Sequence, residues 1–215
     1  VLDHAAEIMA EQGVAGLSVG EVARRMGIRP PSLYVYFSSK NALYDALFER
    51  GARMILGRFD AESADVEGRS LAQLLLRTAE TFVGWSIEHP AYTQLLFWRP
   101  VPGFTPSAEA YAPAVELVQR SHDWFADLQQ RGLVRADADV DHVLRDWTVL
   151  TAGVVSQQMS NAPGDTLATG RFTAALPGLV TMFARHYGTD AGVATDPGTR
   201  PSTPATKGAR RVRTS

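Results

Sequence analysis

The residue types best placed to do chemistry lie between Ser18 and Lys40, in the run S-V-G-E-V-A-R-R-M-G-I-R-P-P-S-L-Y-V-Y-F-S-S-K. From Val22 to Tyr44 the charged residues are Arg24, Arg25, Arg29 and Lys40, with no acid among them. A guanidinium fork matches a phosphate or the O6 and N7 edge of guanine, which makes Arg29 the best direct reader of a base. Ser32 is short enough to approach a base edge or a phosphate. Pro30 and Pro31 offer apolar surface to a thymine methyl and stiffen a helix start. The hydroxyls of Tyr34 and Tyr36 suit phosphates, and Ser18 and Lys40 stand at helix starts, where free N–H groups and the dipole welcome one. Arg24 and Arg25 read as a solvated helix face. The chemistry of the run is that of a nucleic-acid backbone and its base edges.

Other chemistry is poorly supplied. The chain has no Cys, which excludes a disulfide scaffold, a thiolate metal site and a Cys nucleophile, and fits a reducing cytoplasm. His122-Asp123 and Asp141-His142 suggest a metal or an acid–base pair, but sequence neighbours do not share a helix face. Asp137, Asp139 and Asp141 suit a helix start instead. No phosphate-binding loop, zinc-protease motif, nucleophile elbow or dinucleotide fingerprint occurs. The sequence therefore implies no enzyme, no metal and no cofactor. With 21 Lys+Arg against 23 Asp+Glu, a nucleic-acid partner must be met by a local cluster.

The elements that position these residues are helical throughout. Leu2, Ala5, Ala6 and Met9 form a stripe ending at Gly13. Ser18 and Glu21 are spaced as a capping box for a helix that buries Val19, Val22, Ala23 and Met26 and stops at Gly27. A short helix from Pro30 carries Leu33, Tyr34, Tyr36 and Phe37 to about Ser38, and Ser39 caps a long one. Later stripes run Leu71 to Trp85, Ala91 to Trp98, Leu117 to Leu128, Val140 to Val154 and Phe172 to Tyr187. Pro177 kinks the last stripe or marks a fresh start. The longest apolar runs are only a few residues, too short to cross a membrane, and no signal peptide opens the chain. Val1 already lies in helical register, so a trimmed N-terminus is expected. The fold expected is all-α, with about nine helices. Residues 1–50 form a three-helix helix-turn-helix domain (motif 18–37), 51–187 a larger helical domain and 188–215 a disordered basic tail.

The stretch Ala6 to Leu47 resembles the DNA-binding domain of TetR-family transcriptional regulators. Gly13, Ser18, Val22-Ala23, Gly27, Leu33-Tyr34, Phe37, Lys40 and Leu43 all fall at family spacing. The resemblance implies that the first three helices and the start of the fourth bind DNA through Ser18, Arg29, Pro30, Pro31, Ser32, Tyr34, Tyr36 and Lys40. It departs at Gly20, where the family often has a polar residue, and at Tyr36, which replaces a frequent His. The basic residues usual before the first helix are also missing. The rest of the chain agrees with the family only in length and helical character.

One recognition helix reads few bases, so related repressors act as dimers on near-palindromic operators. Small residues on the last two stripes permit close helix approach, and the dimer surface expected includes Thr148, Thr151, Ala152, Ala175, Leu179 and Phe183. The aromatic middle of the chain suits an apolar cavity, with Phe82, Trp85, Trp98, Tyr111, Trp124, Trp147 and Gln157 as candidate lining residues. By resemblance the ligand is a small, mostly apolar or aromatic effector that releases a repressor from its operator. The proline-broken loop from Arg99 to Pro106 is a candidate gate. The alternative function is a helical small-molecule-binding or catalytic protein with an incidental helix-turn-helix-like bend. The run Arg29 to Lys40 argues against it.

Overall fold

In the computed structural model residues 1–190 are described. They form nine α-helices: α1 (Leu2–Gln12), α2 (Val19–Arg25), α3 (Pro30–Tyr34), α4 (Lys40–Ser63), α5 (Leu71–Glu88), α6 (Pro90–Phe97), α7 (Ala108–Gln130), α8 (Val140–Asn161) and α9 (Leu176–Tyr187). The chain is all-α, as its periodicity implies. The one β-type pairing among the described residues is an isolated bridge, Val134 to Gly188. That bridge and the bond from the Thr189 N–H to the Leu133 carbonyl, 3.1 Å, extend the folded part past the expected start of the tail at 188. The rest of the expected tail, 191–215, lies outside the described residues.

Helix ends follow local chemistry. Gly27 adopts φ 68°, and the Gly27 and Ile28 N–H groups bond back to the carbonyls of Arg24 and Ala23. This paired closure ends α2 and turns the chain toward α3. Pro30 and Pro31 occupy the first turn of α3, where their missing N–H groups cost nothing. The Ser39 hydroxyl accepts from the Ala42 N–H at the head of α4, and Ser70 and Gln73 form a reciprocal capping box on α5. Pro177 lies in the first turn of α9, after a separate 3-10 turn at Thr173–Ala175, so it marks a fresh start.

Two expectations need correction. Ser18 caps α2 by position, but its side chain makes no capping bond. Its intended partner Glu21 turns instead to Arg24 and Arg25. Helix α3 ends at Tyr34, so Tyr36 and Phe37 lie in the turn beyond it. The N–H groups of both bond to the Leu33 carbonyl there.

Two hydrophobic cores organise the helices. The first gathers Ile8, Met9, Leu17, Val22, Leu33, Leu43, Tyr44, Leu47 and Phe48, and takes in Trp85, Tyr92 and Leu95 from α5 and α6. The second gathers Leu71, Leu74, Leu75, Phe125, Leu128, Val143, Trp147, Val180 and Phe183. Helix α4 runs unbroken through residue 50, so the small N-terminal unit and the larger domain share one rod. Helix α7 lies along α4, and α5 packs centrally against α4, α6, α8 and α9. At Gly51 a Cβ would stand 2.8 Å from Tyr92 and 2.9 Å from Leu96, so α4 and α6 touch backbone to side chain.

Helices α8 and α9 are clipped together by the Tyr187 hydroxyl, which donates to the Asp146 carboxylate. That bond, with some desolvation, pushes the Tyr187 phenol up to about 12. A raised folded-state pKa contributes stability below the unfolded value of roughly 10, and the contribution is lost as pH rises through the folded one. Tyr187→Phe should lower stability by about 1 kcal/mol, or roughly 2–4 °C in Tm for a chain of this size. In calorimetry the gap between wild type and variant should close between about pH 10 and 12. Equal melting at neutral pH would show that the clip contributes nothing.

Candidate nucleic-acid interface and effector cavity

All eight residues expected to contact DNA are exposed, and they cluster around α3. Arg29 is the N-cap of α3 in extended backbone; its carbonyl accepts from the Ser32 N–H at 2.9 Å, and no hydrogen bond or ion pair engages its side chain among the described residues. Leu33, fully buried, and half-buried Phe37 pin the short helix to the first core. Tyr34 and Tyr36 are left outward, 50% and 79% exposed. The Lys40 Nζ donates to the Ala15 carbonyl at 3.1 Å and stands 5.4 Å from the Tyr44 ring centroid. Tyr44 is itself buried, and its hydroxyl donates to the Val14 carbonyl at 2.7 Å. Helix α4 therefore holds the turn before α2 in place.

The cationic run is less free than its composition implies. Arg24 donates to Glu21 at 2.8 and 2.7 Å. Arg25 donates to Glu21 at 3.1 Å and to Glu11 at 3.0 Å, tying α2 to α1. The two guanidiniums hold the Glu21 carboxyl down to about 2. The acid-free stretch thus begins one residue after Glu21, which together with Glu11 offsets Arg24 and Arg25, and Arg29 and Lys40 are the cations left for a ligand. Val35, between the two tyrosines, is 81% exposed. Sequence reasoning passed over it, although its place just past a five-residue helix was the available signal.

A cavity of about 380 Å³ opens inside the larger domain. Phe82, Trp98 and Trp147 line it with Phe59, Phe97, Leu144 and Val155, and hydroxyls come from Thr78, Thr81, Ser121, Thr148 and Thr151. Four of the seven expected lining residues lie elsewhere. Trp85 is buried in the first core, and Tyr111 stacks on Phe48 at 5.7 Å. Trp124 packs edge-on against Phe59 and Phe125. Gln157 is exposed and bonds to Asn161, while its neighbour Gln158 is buried and holds the connection between α8 and α9 through Ala162 and Phe172. Periodicity gave the inward faces, but not which of them leave a gap.

The loop at 99–106 lies as a strap across the first core. Val101 and Phe104 pack on the first core, Phe104 lies 5.3 Å from Tyr44, and the Ser107 N–H donates to Asp45 at 2.9 Å. It follows directly on Phe97 and Trp98 of the cavity wall.

Of the residues expected at a dimer surface, Thr148, Ala152 and Ala175 are exposed and Leu179 is half-buried. Thr151 and Phe183 point inward. Thr151 donates to the Trp147 carbonyl at 2.9 Å, and Phe183 meets the Trp147 ring at 5.2 Å. Val149 and Met182 are exposed instead, at 68% and 67%. The His/Asp pairs meet across α7 and α8, with His122 at 3.5 Å from Asp123 and 3.6 Å from Asp141. Asp139 caps α8, accepting from the Asp141 and His142 N–H groups. No group of three or more His, Asp or Glu among the described residues could hold a metal ion, and none of their helices is long and apolar enough to cross a membrane.

Residues 1–47 match the family described as bacterial regulatory proteins, tetR family. The match takes in α1 to α3 and the start of α4. Within it α2 and α3 meet at the Gly27 turn as a helix-turn-helix. An uncharacterised HTH-type transcriptional regulator of Bacillus subtilis, YobS, is 34% identical over 92 residues, 43% of this chain and 47% of its own. The chain spans about half the length of the curated relatives it matches. Among solved structures, FadR of Bacillus subtilis in complex with stearoyl-CoA superposes with TM-score 0.65 at 16% identity, covering 85% of this chain and 95% of that one. AibR in complex with isovaleryl coenzyme A and operator DNA superposes with TM-score 0.64 at 17% identity, covering 84% and 94%. At those identities the likeness is one of fold.

The cavity analysis gives a direct test. Neutral N-phenyl-1-naphthylamine should give a saturable fluorescence rise with wild type, and Thr81→Trp, which places an indole in the cavity wall, should abolish it. Undiminished uptake would locate the dye elsewhere.

Proposed function

We propose that the chain is a sequence-specific transcriptional regulator acting in the cytoplasm. In this reading it is a homodimeric repressor that leaves a palindromic operator when a small, mostly apolar ligand fills the cavity. The observation that carries the reading is the exposed α3 surface, pinned from behind by Leu33 and joined through the single rod of α4 to a domain with an apolar cavity. FadR and AibR, with the same fold, are seen with acyl-CoA ligands, and AibR with operator DNA as well. The role is that of a regulator and not of an enzyme.

The coupling route follows from contacts. A ligand in the cavity presses on Phe97 and Trp98 at the end of α6. Helix α6 sits against Gly51 of α4 with no slack, and the strap after it reaches Tyr44 and Asp45. A shift of α6 therefore tilts α4 and, with it, the spacing of two recognition helices. Such couplings are typically worth about 1–3 kcal/mol. The exposed small residues of α8 and α9, with Val149 and Met182 among them, make the dimer face.

Selection of bound DNA from a random pool tests the whole reading: an inverted repeat should be enriched. No enrichment from folded, dimeric protein at low salt would favour a helical ligand-binding protein without a DNA role. Arg29→Ala should cost about 1–3 kcal/mol and relax preference at one base pair per half-site. A uniform loss over all sequences would make Arg29 a phosphate contact. Lys40→Ala should weaken all sequences alike and reduce the salt slope by about 1; an unchanged slope counts against that role. Val149→Asp should shift sedimentation toward the monomer and weaken operator binding, and a stable dimer would move the interface off α8.

A further inference from the structure

The walls of the cavity differ from an ordinary apolar pocket in the sense of their polarity. Glu62 is the one ionisable side chain among the lining residues, and no Lys, Arg or His joins it. Arg77 donates twice to Glu62, at 3.2 and 2.8 Å, and both bonds go to Oε2. Oε1 accepts no protein hydrogen bond among the described residues. Arg77 does not line the cavity. It belongs to a neighbouring groove, where Glu62, Glu80 and Glu88 face Arg58 and Arg77, and it also reaches Asp65 at 4.0 Å.

The hydroxyls reinforce this bias. Thr78, Ser121, Thr148 and Thr151 all donate to carbonyls of their own helices, so toward the cavity they offer lone pairs. The remaining donors, the Thr81 hydroxyl and the indole N–H groups of Trp98 and Trp147, are neutral. Five aromatic rings complete the wall: Phe59, Phe82, Phe97, Trp98 and Trp147. Aromatic faces attract a cation and repel an anion. A carboxylate or phosphate buried here would find no charged partner, and an unpaired buried charge is costly.

We propose that the cavity selects a lipophilic cation, an aromatic or aliphatic body bearing an ammonium-type donor that meets Glu62 Oε1 while the rings enclose the rest. This deepens the effector reading and rests on it. It also separates this chain from the anionic coenzyme A thioesters held by FadR and AibR.

The test uses three probes of one shape, 2-naphthylmethylammonium, 2-naphthalenemethanol and 2-naphthoate, titrated into the full chain by calorimetry at pH 7. The cation should bind at least about tenfold more tightly than the anion, with the alcohol between them. Glu62→Gln should collapse that preference to within about threefold, and Glu62→Asp should keep most of it. Melting curves of both variants establish that each is folded. An anion bound as tightly as the cation, or a preference that survives Glu62→Gln, overturns the proposal. If all three bind alike, the cavity remains an effector site and only its charge selection falls. If none binds saturably, the effector reading and the charge selection fall together.

Discussion

Helix α4 must satisfy two cores at once, and the rest of the architecture depends on that constraint. Its first turns bury Leu43, Tyr44 and Leu47 against α1, α2 and α3, while Ile55 and Phe59 further along reach the cavity wall. A helix is stiff over this length because every interior peptide group is bonded within it. Displacement at one end therefore appears at the other. Tyr44 concentrates the effect: it is buried, bonds the turn before α2, supports Lys40 on its ring and carries the strap through Phe104. Removing it would loosen the turn before α2, the Lys40 side chain and the seat of the strap together.

The helix-turn-helix was legible in the sequence because its signals are local. Gly27 needs a positive φ, Pro30 and Pro31 fit only a first helical turn, and Ser39 precedes a helix whose free N–H groups it can bond. Such requirements do not depend on distant contacts. The same locality misled at Ser18 and Glu21. Spacing suits a capping box there, but Arg24 and Arg25 lie one turn on and offer the carboxylate charged donors, which outcompete a neutral N–H. Similarly, the cation count over 22–44 was correct, whereas the share of free charge depended on Glu11, brought in from α1 by the fold.

The larger domain was legible only as helices with inward faces. Periodicity says that Trp85, Trp124 and Trp147 point inward, but a gap between helices is set by which side chains meet, and that is a property of partners. Trp85 met the first core and Trp124 met Phe59, while Trp147 alone of the three lines the 380 Å³ cavity. At Gln157 and Gln158 a single step along α8 separates solvent from interior. Residues such as Glu62 and Thr81 sit on half-polar faces that resemble a solvated surface, and so gave no signal.

Gly51 has a meaning for variation as well as for packing. Here α6 lies against the shared rod, and the glycine serves by lacking a side chain, not by an unusual backbone angle. Any added carbon becomes a wedge between α4 and α6. The position therefore works as an adjustment screw: the angle between two helices can drift in evolution, or be set by an engineer, without altering an exposed residue of α3 or a side chain that lines the cavity.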